Sequence, residues 1–279
     1  MLSSCESAEP TFYTANGKSS VGLELRTPEG DNSLATYVKE GGDEFSGVTH
    51  IELHGVENTM TVTRSTGVKE TLKWPENGLI YVSTKESPAC TYKFSPAESD
   101  NETEKKNETN CGDVYVSGSY SSPLTIAAQE DVIINGNIYP TSVSGKLGAE
   151  PSGTDTLGLI AGNYVRVYHP MTGSTSKECP DGTKNGEGSL TNPWIYAAIL
   201  STNHSYTVDN YMCGEGLGEL HVYGAIAQRL RGPVGLTSGQ GYIKDYKYDE
   251  RLAVDEPPYF LNPLNAGWEV DRETSPTGG

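Results

Sequence analysis

The chain has no long hydrophobic run, few basic residues, and few aromatic residues other than tyrosine. No stretch approaches the roughly 20 apolar residues that a membrane-spanning helix needs. The opening "MLSSCESAEP" has neither the basic nor the apolar part of a signal peptide. The expectation is a cytosolic protein, or an ectodomain whose export segment lay upstream. Lys and Arg number 20 against 37 Asp and Glu, a formal charge of −17. A field of that sign repels phosphates, which excludes a nucleic-acid partner. Phe numbers 4 whereas Tyr numbers 17, and Tyr suits pleated, half-buried surfaces with one wet edge. Stretches of Ala, Leu, Glu and Lys that would favour long helices are missing, while Gly 32 and Pro 16 supply frequent turns. Together these features favour an all-β chain, long enough at 279 residues for one large or two ordinary domains.

Signatures of catalysis are also lacking. No GxSxG, P-loop, CxxC or EF-hand loop occurs, and "GEGLGE" at 214–219 resembles a phosphate loop only loosely before running into a β pattern. No cofactor is expected. His50 and His54 in "HIELH" stand four apart, which on a strand separates them by about 13 Å, too far for one metal ion. The metalloprotease pattern HExxH is not met, so no metal ligands are assigned.

The five cysteines lack metal-binding spacing. Cys90 and Cys111 bracket the charged insertion "TYKFSPAESDNETEKKNETN", and Cys179 and Cys213 bracket a segment opening on "PDGTKNGEG". Each pair reads as a disulfide clamping the base of an excursion, with free buried thiols as the other reading, and Cys5 left odd. Disulfides imply an oxidising, extracellular or cell-surface setting. Sequons at Asn101, Asn107 and Asn203 are candidate glycosylation acceptors if the host glycosylates them.

Three regions follow along the chain. Residues 1–85 form an N-terminal β-rich region with a meander pattern, in "VGLELRT", "VTHIELHG", "NTMTVTRS" and "GLIYVST". Within it, Met60 and Val62 share one face while Thr59, Thr61 and Thr63 share the other. In residues 86–235, Val132, Ile134, Gly136 and Ile138 fall on one face at period two, as do Leu220, Val222, Gly224 and Ile226. Asn135, Asn137, Asn163 and Asn203 stand at corners, where asparagine admits φ > 0. Aliphatic rungs with asparagine corners predict a parallel β-solenoid, or β-helix. A β-sandwich is the alternative, disfavoured because the Asn-Gly corners interrupt continuous apolar runs where a sandwich would place a hairpin. In residues 236–279, Tyr259, Phe260 and Trp268 gather between prolines as an aromatic C-terminal cap for the open end, with "SPTGG" as a frayed tail.

The strings "NTMTVTRS", "PENGLIYVST", "CGDVYVSGSYSSPLTIAAQEDVIINGNI", "LGLIAGNYVRVYHP", "AAILSTNHSYTVDNY", "GAIAQRLRGPVG" and "PPYFLNPLNAGWEV" cover, in order, residues from about 45 to 271. In them the chain resembles a bacterial pilus-assembly family, the PilX-type, minor-pilin-like exported proteins. The resemblance implies an assembly role at a type IV-like pilus or secretion pseudopilus, with other filament subunits as partners. It also implies membrane attachment through an N-terminal helix that this chain lacks. The acidic insertion at 97–109 is a second departure from the family pattern.

Solenoids also carry polysaccharide lyases and hydrolases, so the charged residues were weighed for catalysis. The candidates are Glu130, Asp131, Asp155, Arg166, His169, Asp209 and Arg229. A glycosidase needs two carboxyls about 5 to 10 Å apart on one face. Adjacent Glu130 and Asp131 point to opposite sides of a strand or sit in a turn, and read as a solvated corner. Arg166 alternates with Val165 and Val167, which predicts a side chain facing solvent or a loop carboxylate. His169, before Pro170, reads as a strand-end cap. The expectation is therefore a non-enzymatic extracytoplasmic structural or assembly protein. A β-solenoid lyase or hydrolase, or a carbohydrate-binding surface module taking surface glycans, is the alternative, and the loops at 97–109 and 171–192 are the first places to seek specificity.

Overall fold

The computed structural model describes residues 12–13, 19–20, 38–88, 90–91 and 109–260. Cys5, Asn101, Asn107, Trp268 and most of the insertion at 97–109 lie outside these residues. β1 (Phe12–Tyr13) and β2 (Ser19–Ser20) pair antiparallel as a two-stranded sheet. There follow β3 (Asp43–Ser46), β4 (Thr49–His54), β5 (Thr59–Arg64), β6 (Lys69–Lys73), β7 (Leu79–Ser83), β8 (Val114–Tyr120), β9 (Leu124–Ala128), β10 (Val132–Pro140), β11 (Leu157–Ala161) and β12 (Val165–Val167). β13 (Met171–Thr172) and β14 (Lys184–Asn185) make a second small antiparallel sheet. β15 (Trp194–Ser201), β16 (Tyr206–Val208), β17 (Gly216–Gln228) and β18 (Gly241–Tyr248) complete the order. The fold is all-β, and every strand outside the two small sheets belongs to one curled, mixed sheet of 14 strands.

Local alternation sets which side of each strand is buried. In β4, Thr49, Ile51 and Leu53 are buried while His50 and Glu52 are exposed, the period-two pattern of a strand with one solvated face. β4, β5 and β6 run antiparallel as a meander, and Met60 and Val62 are fully buried as their alternation predicts.

Elsewhere in this sheet the pairing is parallel, and the chain returns to the same three columns. β3, β7, β9, β11 and the ends of β15 and β17 align in the first. β4, the start of β8, the start of β10, β12 and β16 align in the second. The ends of β8 and β10, the start of β15, the middle of β17 and β18 align in the third. Val132, Ile134, Ile138, Leu220 and Val222, all placed inward by periodicity, join one core with Val114, Leu124, Ile126, Leu159, Val165 and Ile199.

The corners differ from expectation. Among the described non-glycine residues, positive φ occurs at Asn58, Asn192, Asn210 and Tyr259, not at Asn135, Asn137, Asn163 or Asn203. The bend in β10 is instead a register shift between Ile134 and Ile138, and two of the asparagine side chains bond to neighbouring strands. Asn137 Oδ1 accepts from Trp194 N at 2.9 Å, and Asn163 Nδ2 donates to Glu130 Oε2 at 2.5 Å. The matching bend in β8 relies on Gly118, whose φ of +107° disfavours other residues and where a Cβ would collide with the Leu53 backbone.

Of the aromatic residues assigned to the cap, Tyr259 and Phe260 are described and Trp268 is not. Tyr259 and Phe260 pack on a second cluster of Leu79, Ala127, Ile160 and Leu200, along the outward flank of the first column. That flank is apolar because its outward-pointing residues are aliphatic, and the two rings remove it from water. The Thr125 hydroxyl donates to the Pro258 carbonyl, anchoring the segment there.

Both cysteine pairs are bonded, Cys90 to Cys111 and Cys179 to Cys213, closing separations of 21 and 34 residues. Loops of these sizes imply about 3–4 kcal/mol of stabilisation each by restriction of the unfolded chain. Reduction should therefore lower the urea midpoint measurably, and each pair of Cys→Ser substitutions should account for roughly half of the loss. Alkylation of Cys90 or Cys179 without prior reduction, read by intact mass, would contradict the pairing.

Candidate functional site

The charged residues singled out from sequence divide into a buried group and a surface group. Arg166 lies at the middle of β12, Asp131 immediately before β10, and Asp209 immediately after β16. Parallel register brings the three together. Arg166 Nε donates to Asp131 Oδ2 at 3.0 Å, and Nη1 donates to Asp209 Oδ2 at 2.7 Å. Side-chain exposures are 1% for Arg166, 2% for Asp131 and 6% for Asp209. One expectation is corrected here, since Asp131 is not a solvated corner; of the two readings of Arg166, solvent or a loop carboxylate, the second holds, because both its partners lie just outside strands. The long guanidinium stem spans the gap between neighbouring rungs, and two carboxylates converge on it from either side. His169 is also buried, with Nδ1 3.0 Å from the Asp209 carbonyl and Nε2 3.1 Å from Asn185 Oδ1. Burial holds its pKa below the usual value.

One rung away, Asp113 repeats the position of Asp131. Asp131 N donates to Asp113 Oδ1 at 3.0 Å, and Tyr164 N donates to Asp131 Oδ1 at 3.0 Å. Burial, followed by the charge of Asp131, pushes the Asp113 carboxyl up to about 8. Burial also raises Asp131, and Arg166 opposes that rise directly. Charges so enclosed serve to hold rungs in register.

The other candidates are dispersed. Glu130 is half-buried and bonds Asn163. Asp155 offers its carbonyl to Arg251, which is held by Asp249 at 2.7 Å. Arg229 is exposed just after β17. His50 stacks on Tyr115 with centroids 4.2 Å apart, and His54 Nε2 lies 2.8 Å from Thr61 Oγ1. Asn203 is exposed, as a glycan acceptor must be.

The third column carries a surface arrangement that sequence reading missed. β15, β17 and β18 place Trp194, His221 and Asp245 in register, and beside them Tyr196, Tyr223 and Lys247. Contacts follow the rungs. Trp194 stacks on His221 at 3.8 Å with the rings 4° from parallel, and His221 Nδ1 meets Asp245 Oδ2 at 2.6 Å. Tyr196 stacks on Tyr223 at 5.3 Å, and Lys247 Nζ sits 4.7 Å from the Tyr223 ring. Glu219, two residues before His221 and so on the same face, brings its carboxylate to 3.7 Å from Nε2. The pair Glu219 and His221 was legible as one strand face in "GELHVYG". Asp245, on the next rung, was not.

No protein-family model matches the chain, and neither a curated protein nor a solved structure does.

Arg166→Met would strand two buried carboxylates and should destabilise the fold by about 3–5 kcal/mol, as measured by urea unfolding. Asp113 sets a pH dependence of defined sign. Its folded pKa of about 8 exceeds the unfolded 3.8, so the fold binds the extra proton and unfolding releases it. This contribution is present at low pH and declines as pH rises through the interval between those values. Stability should fall from pH 5.5 towards pH 8, and Asp113→Asn should flatten that slope. An unchanged slope in the variant would contradict the assignment.

Proposed function

We propose that this chain is a non-enzymatic, extracytoplasmic assembly protein built as a parallel β-solenoid, acting as a subunit or accessory of a type IV-like pilus or another surface filament. The observation that carries this reading is the fate of the charged residues. Asp131, Arg166 and Asp209, which a solenoid lyase or hydrolase would display on an open face, bond one another within the wall of the sheet. The recurrent parallel columns support the solenoid. Two disulfides support an oxidising compartment. Among the described residues no helix is long and apolar enough to cross a membrane, and attachment belongs to a segment outside them or to partner subunits.

An assembly subunit also needs a surface on which neighbours dock. β18 pairs with β17 alone among the described strands, and Ile243, Tyr246 and Tyr248 are exposed on it. An edge of this kind accepts another strand through its free main-chain groups. Immunogold imaging of native surface material should find the chain within filaments. A photo-crosslinking residue at Ile243 should capture another filament subunit. The reading fails if the chain is absent from filaments, or if the purified protein depolymerises acidic polysaccharides.

A further inference from the structure

We propose that His221 and Glu219 form a binding site for a borderline divalent metal ion of the Zn²⁺ class, with Asp245 as the residue that orients the imidazole. The argument begins with the hydrogen on the ring. His221 Nδ1 lies 2.6 Å from Asp245 Oδ2. A carboxylate accepts hydrogen bonds, so Nδ1 carries the hydrogen. In the neutral imidazole, Nε2 then presents a lone pair, and what it faces is another acceptor, Glu219 Oε2, at 3.7 Å. Two acceptors at that separation are both satisfied by a cation set between them. Ligand bonds of about 2.0–2.2 Å in tetrahedral geometry place neighbouring donor atoms about 3.4 Å apart, a few tenths of an ångström from the separation already present.

The surroundings point the same way. The donor atoms of Glu219, His221 and Asp245 all lie within 4.8 Å of one another. Metal-bound histidines nearly always pass their second ring hydrogen to a carboxylate or carbonyl, which fixes tautomer and ring plane. Asp245 supplies that contact from the next rung, and Trp194 supports the ring from the other side at 3.8 Å. The imidazole is thus held on both sides, with a side-chain exposure of 10%, while both carboxylates reach solvent at 55% and 56%. Lys247, two residues from Asp245, is drawn to the Tyr223 ring rather than to these carboxylates. Across the described residues, the ion-pair contacts of Glu219 and Asp245 are with His221. A mixed nitrogen and oxygen donor set without sulfur selects Zn²⁺ and its first-row neighbours. Two direct ligands leave coordination positions open to water or to a donor from another molecule.

The test is isothermal titration of the full chain, stripped with chelator, with Zn²⁺ at neutral pH. The expected result is one saturable site of micromolar affinity. Glu219→Gln, at an exposed position that leaves the fold intact, should weaken binding at least tenfold, as should His221→Gln. Asp245→Asn should weaken it by about 10–100-fold through loss of ring orientation. No saturable binding up to millimolar Zn²⁺ would overturn the proposal, and so would a Glu219→Gln titration identical to that of the unaltered chain.

Discussion

In-register parallel pairing governs this molecule, because it stacks each side chain on its equivalent one rung away. Val114, Val132, Val165 and Tyr206 stand on one another in the second column, all buried. The arrangement suits aliphatic residues, whose contacts repeat from rung to rung without loss. It is severe on charge. The position preceding that column carries Asp113 and then Asp131, and two buried carboxylates cannot both ionise at close range without a large penalty. The conflict shows in carboxyls raised above their ordinary range, and Arg166 is set against Asp131, with Asp209 completing the guanidinium's bonding. A buried network of this kind adds little net stability over apolar packing, yet breaking it is destabilising, so it enforces register more than it adds strength.

The outward faces obey the same geometry with different side chains. Leu79, Ala127, Ile160 and Leu200 form a strip that Tyr259 and Phe260 cover. Trp194 over His221 and Tyr196 over Tyr223 form a second strip in the third column, where Val143, Leu147 and Ala149 pack against the aromatic rings. Excursions from the columns are held at their bases by local devices. Cys179–Cys213 closes a segment that starts after β13 and contains β14, β15 and β16, and Cys90–Cys111 closes the charged insertion. The inward side is a packed core.

Legibility in the sequence followed the range of the interaction. Alternation is a nearest-neighbour property of a strand, and it correctly placed Val132, Ile134, Ile138, Leu220 and Val222 inward. The same alternation left Arg166 to either solvent or a loop carboxylate and could not choose between them. Val165 and Val167 do face inward and Arg166 does not, but an outward residue is exposed only if nothing converges on it. Its partners Asp131 and Asp209 lie 35 and 43 residues away in sequence. Corner chemistry failed for a related reason: Asn137 and Asn163 bond across rungs, so neither needs the left-handed backbone that asparagine tolerates.

By itself, then, the sequence determined the all-β class, the inward-facing aliphatic positions and the cysteine brackets around two excursions, because each depends on composition or on residues a few positions apart. Tertiary structure alone decided that Asp113, Asp131, Arg166 and Asp209 form one enclosed network, that Tyr259 and Phe260 lie along a flank, and that Glu219, His221 and Asp245 meet at the surface. The reason is physical. Parallel pairing joins strands that stand far apart in the chain, so the register that brings these groups together is fixed by the cooperative pairing of whole strands.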